Sequence, residues 1–145
     1  MSIVAVIKES WGWTGIDPVE VVRENEFGNL IIRDIAGKYW RLCPEDVYCK
    51  VIANNQHELD EFYRHEEFLL DWNMTKLTEL ALGRYGELAP NRKFHLAIPG
   101  VLGGKYDLSN IRPVSFEDQI RFAGDIAMQI NDLPDGSQIK LNVIE

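Results

Sequence analysis

The chain has 145 residues, a formal net charge of −8 and a hydrophobic share of 46%. That length supports one domain with a genuine apolar core. No run of about 18 apolar residues is present to cross a bilayer, Met1 to Ser10 lacks the basic and apolar blocks of an export signal, and the negative charge disfavours nucleic acid and anionic membranes as partners.

Ser2 to Trp11 carries Ile3, Val6, Ile7 and Trp11 on one side and predicts a short helix. A loop follows at WGWTG. Pro18 to Glu24 and Leu30 to Asp34 predict two strands around the turn Asn25–Asn29. Ala36-Gly37-Lys38 is a second turn, Tyr39 to Leu42 a third strand, and Val47 to Ile52 a fourth after the break at Cys43–Asp46. Strands joined by short turns predict an antiparallel meander.

The middle of the chain changes period. Asn55 is a candidate cap for a helix over Gln56 to Leu70, with Glu66 marking a break. A second helix restarts at Asp71 or Asn73, carries Met74, Leu77, Leu80 and Ala81, and ends by Gly86. Lys93 to Ile98 alternates as a strand and leads into a turn containing Gly100, Gly103 and Gly104. Asn110 to Val114 is a short strand whose Pro113 suits an edge. Ser115 then caps a helix with Phe116, Ile120, Ala123, Ile126, Ala127 and Ile130 on one stripe. Gln138 to Ile144 alternates and predicts a closing strand. The expected architecture is a single α+β domain over residues 1–145. A mostly antiparallel sheet, the N-terminal meander plus later strands, packs against about three to four helices.

Tests for chemistry return little. PGVLGGKYD has Pro99 where a phosphate loop needs Gly and Tyr106 where it needs Ser or Thr. His57, Glu61 and His65 recur at helical spacing, but three ligands on one helix converge poorly on a metal, and HExxH is absent. No GxSxG elbow is present, and His95 lies between Phe94 and Leu96 on a strand, as a structural histidine does. Cys43 and Cys49 have neither the spacing nor the companions of a zinc site, and their number fits a reducing cytoplasm. Trp11, Trp13, Trp40 and Trp72 read as core residues. The expectation is therefore no catalytic residue, no metal and no cofactor.

Charge is more informative. Between Pro44 and Asp71 eight acids stand against two bases, which leaves only −2 for the rest of the chain. Such a field speeds encounter with a basic partner.

Several segments in order resemble a known family: WGWTGIDPVEVV (11–22), FGNLIIRDIAGKYWRLCPEDVYCKVIA (27–53), DWNM (71–74), IPGVLGGKYDLSNI (98–111) and FAGDIAMQINDLPDG (122–136). Together they resemble the C-terminal domain family of type VI secretion immunity proteins, in a single-domain form without the GAD-like leader that members often carry. The resemblance implies a cytoplasmic antitoxin that binds a cognate effector, by family association a DNase, and performs no catalysis. A DNase needs a basic groove, which an acidic antidote complements. The family supplies no set of contact residues to carry over. The acidic stretch instead nominates Glu58, Asp60, Glu61, Glu66, Glu67 and Asp71, with Tyr63 or Trp72 as apolar anchors. Two other readings stand beside this one. The first is a small enzyme or ligand-binding domain using the Gly100–Asp107 turn with His95, Tyr106 or Asp107. The second is a structural adaptor that dimerises through an edge strand; monomer and homodimer both remain open.

Overall fold

A computed structural model describes residues 1–134. The strand expected over Gln138 to Ile144 lies outside the described residues. The chain opens with helix α1 (Ile3–Trp11), capped by Ser2, whose hydroxyl accepts a hydrogen bond from the Ala5 amide at 3.1 Å. Four strands follow: β1 (Pro18–Glu24), β2 (Leu30–Asp34), β3 (Tyr39–Cys43) and β4 (Tyr48–Ala53). Each pairs antiparallel with the next, so sheet order equals chain order.

Leu30, Ile31 and Ile32 are consecutive and all buried, so the sheet is covered on both faces. Leu30, Ile32 and Leu42 face one core, which contains Val6, Ile7 and Trp11 of α1 together with Ile120, Ala123 and Ile126 of α5 (Phe116–Ile130). Ile31, Tyr39 and Ala53 face a second core, filled by Leu59 of α2 (Gln56–Tyr63) and by Phe68 and Trp72 of α3 (Glu66–Asn73). The central strands are thus the middle of three layers. The β1 edge is blunted by two register shifts and by exposed Glu20, Arg23 and Glu24.

The break expected near Glu66 separates α2 from α3. Asn55 caps α2 by accepting from the Glu58 amide at 2.9 Å. Met74, at φ 45°, ends α3 and turns the chain into α4 (Thr75–Tyr85). The later strands β5 (Arg92–Leu96) and β6 (Ile111–Ser115) form their own two-stranded sheet rather than extending the meander. Phe94, Leu96 and Ile111 from that sheet pack with Phe27 and Ala81 in a third core. Gln119, fully buried on α5, ties this sheet to the first by donating to the carbonyls of Phe27 and Phe94 at 3.0 and 3.1 Å.

Helix α5 carries the expected cap and stripe. The Ser115 hydroxyl accepts from the Asp118 amide at 3.3 Å, and Trp11 donates its indole N–H to the Ile120 carbonyl at 3.2 Å. Gly124 lets α1 and α5 approach, because a Cβ there would stand 2.6 Å from the Ser10 carbonyl oxygen. Gly104 plays the same part in the glycine-rich loop, where a Cβ would overlap the Ile98 carbonyl.

Candidate functional site

The nominated acids do different work. Glu58 completes its own helix start: its carboxylate accepts from the Asn54 amide, so the group is engaged within the fold. Asp60 accepts from the Gln56 side chain at 2.9 Å, and Glu61 lies 3.1 Å from the His57 ring one turn away. Glu66 and Glu67 occupy the first turn of α3 and are exposed, a favourable place for negative charge at a helix N-terminus. Leu70 projects from the same helix and is 72% exposed, with Glu66 one turn before it and Asp71 beside it. The outward side of α3 is therefore an apolar knob among carboxylates.

The two nominated aromatic anchors point inward. Trp72 is only 3% exposed and stacks on Phe68 at 5.8 Å. Its position i+4 from Phe68 places both on the buried side of α3, so the ring serves the core. Tyr63 is half-buried, with the Arg23 guanidinium 4.7 Å above its ring.

A buried polar chain runs beneath this surface, and sequence reading missed most of it. Arg41, inside the sheet on β3, donates through Nη1 to Asp71 Oδ2 at 2.6 Å and through Nε and Nη2 to Asn29 Oδ1 at 3.2 and 3.0 Å. Its guanidinium also lies 5.8 Å from the Phe68 ring and 5.5 Å from the Trp72 ring. Asn29 turns its amide nitrogen to both oxygens of Glu45 at 2.9 Å. Burial pushes the Glu45 carboxyl above its ordinary pKa, and the Asn29 hydrogen bonds offset only part of that. The available signal was parity: Arg41 shares a strand face with Tyr39 and Cys43, an unusual place for a charge.

Glu45, Asp46, Leu70, Asp71, Met74, Leu77 and Tyr106 line a groove of about 510 Å³ between α3, α4 and the β3–β4 turn. The Tyr106 hydroxyl donates to Asp46 Oδ1 at 2.7 Å, which fastens the glycine-rich loop to that turn. The alternative ligand set does not converge. Tyr106 stands at the groove, whereas His95 is buried edge-on against Phe122 at 5.2 Å, and Asp107 caps the following turn through the Ser109 amide at 3.1 Å. Burial, reinforced by Arg112, drives the His95 pKa down to about 4 and keeps the ring neutral. Burial likewise raises the Cys49 thiol to about 12 and raises Cys43 as well, so both are held as unreactive thiols. Among the described residues no three His, Cys, Asp or Glu side chains gather as metal ligands.

Residues 53–127 match the family model described as T6SS immunity protein Tdi1, C-terminal. The chain belongs to this Tdi1 C-terminal family. No curated protein matches it. The matched segment begins at the last residue of β4 and runs through α2, α3, α4 and the small sheet into α5. The Tdi1-family segment thus supplies Glu66, Glu67, Leu70, Asp71 and Tyr106. Arg41, Asn29, Glu45 and Asp46 come from the meander that precedes it. Among the described residues no helix is long and apolar enough to cross a membrane.

Proposed function

We infer that this protein is an immunity protein that neutralises a type VI nuclease effector by binding it, in the cytoplasm and without chemistry of its own. Its membership of the Tdi1 C-terminal family carries the reading. The surface chemistry supports it: Glu61, Glu66, Glu67 and Asp71 are exposed on two successive helices, and Leu70 stands among them. A nuclease presents cationic side chains to hold phosphates, and such a surface attracts an anionic one. Exposed charges of this kind act mainly on encounter rate and orientation, and salt screens them. Inhibition then follows from occupancy, because a protein seated on the cationic groove excludes the DNA.

The experiment is co-purification with the effector encoded by the neighbouring gene, followed by DNA-cleavage and growth-protection assays. Binding that protects DNA and cells is the expected result. Reversing the charges of Glu61, Glu66 and Glu67 together should lower the association rate by roughly tenfold and flatten its salt dependence. An unchanged rate and salt slope would remove this face from the interface.

A further inference from the structure

The β3–β4 turn separates two grooves. One is the groove beside α3 and Tyr106. The other, about 550 Å³, lies between the end of α1, β4, the glycine-rich loop at Val101 and the last turn of α5. Asp46 lines both, so they meet at a single side chain.

Exposed apolar groups collect along this path. Leu70 and Tyr106 stand at the first groove, and Trp13 and Val101 at the second, each at least 39% exposed. Single exposed apolar residues need no explanation. Two at each of two grooves that share Asp46 are a different matter, because exposed apolar groups lining a groove can anchor a partner. Two of these anchors, Trp13 and Tyr106, are also held in place before any partner arrives. Trp13 stacks on Trp11 at 6.2 Å and donates its indole N–H to the Ser10 carbonyl at 3.1 Å. Tyr106 is bonded to Asp46, and the Gly100 amide donates to the Glu45 carbonyl at 2.7 Å. Anchors fixed in advance lose little entropy on binding. Charged groups line both grooves: Asp46 is shared, Asp71 and Lys76 belong to the first, and Lys50 to the second.

We propose that the two grooves form one docking surface, and that its occupant is a segment of the effector in which apolar side chains flank a basic one. The apolar groups seat against Leu70 and Tyr106 on one side and Trp13 and Val101 on the other. The cation lies at Asp46 and Asp71. This rests on the immunity reading above and assigns the affinity to the grooves, leaving Glu61, Glu66 and Glu67 to set the encounter rate.

The test measures association and dissociation rates of the full chain with the neighbouring effector, its active site inactivated. Leu70→Arg and Val101→Arg should each speed dissociation by at least about 30-fold, the mark of a hot-spot residue. Leu70→Glu should speed it less than Leu70→Arg, because the occupant is cationic. Leu70 and Val101 are exposed, so the variants should keep the wild-type thermal midpoint, and Tyr106→Ala gives an independent reading should either fail to fold. Wild-type dissociation rates in the groove variants would overturn the docking surface alone. Equal effects of Leu70→Arg and Leu70→Glu would overturn its basic occupant. No binding by the wild-type chain would overturn the immunity reading and this inference with it.

Discussion

Arg41 and Asp71 are joined by a 2.6 Å hydrogen bond across very unequal environments: the Arg41 side chain is 7% exposed, the Asp71 side chain 66%. The pair links the middle of the sheet to the outer side of α3. Its two ends should respond differently to mutation. Asp71→Asn removes a largely solvated charge and keeps an oxygen to accept from Arg41, but leaves the buried guanidinium without its carboxylate, and should cost about 1–2 kcal/mol. Arg41→Ala empties a buried site beside the Phe68 and Trp72 rings, leaves Asn29 without its donor, and should cost about 3 kcal/mol or more. Urea denaturation of both variants measures the asymmetry, and equal costs would refute it.

His95 predicts a dependence on acid. Its folded pKa is held at about 4 against an ordinary 6.5. Between these values the unfolded chain binds a proton that the folded chain does not, so stability rises with pH across the window. Nothing is lost above about pH 6.5. As pH falls toward 4, about 1.4 kcal/mol per unit is lost to this group. His95→Leu should flatten the fall of the unfolding free energy between pH 6.5 and 4.5. Parallel wild-type and variant curves would exclude the ring as its source.

Glu45 has the opposite sign. Its folded pKa lies above the ordinary carboxylate value, so the unfolded chain gives up its proton first and stability declines as pH rises through that range. Glu45→Gln keeps an oxygen to accept from Asn29 and removes the buried charge. The variant should melt higher than wild type at pH 8, and the difference should shrink near pH 5. A wild-type advantage at pH 8 would show that the ionised carboxylate is net stabilising.

Gly124→Ala tests the α1–α5 crossing. Alanine is the better helix former by about 1 kcal/mol. Its methyl group, however, would meet the Ser10 carbonyl oxygen at 2.6 Å, and backbone yields poorly. The variant should lose about 1–3 kcal/mol in spite of its helical preference. A more stable variant would show that the two helices separate freely.

Local patterns in the chain specified much of the fold. The limits of β1 and β2, the Asn55 and Ser115 caps and the apolar stripe of α5 follow from nearest-neighbour chemistry. The pairing of β5 with β6 as a separate sheet did not, because strand sequence does not state which edge a strand joins. Trp72 shows the same division at the site. Composition offered an aromatic beside acids, and helical phase with Phe68 turned it into the core.

By itself the sequence determined an acidic α+β pattern, the order of the strands among the described residues and its family pattern, since these depend on residue type and spacing along the chain. Tertiary structure alone decided which acids face solvent, that Arg41 and Glu45 meet through Asn29, and that Leu70, Tyr106, Trp13 and Val101 border adjoining grooves. The physical reason is separation. These groups come from different elements, and only the packing of helices onto both faces of the sheet brings them together.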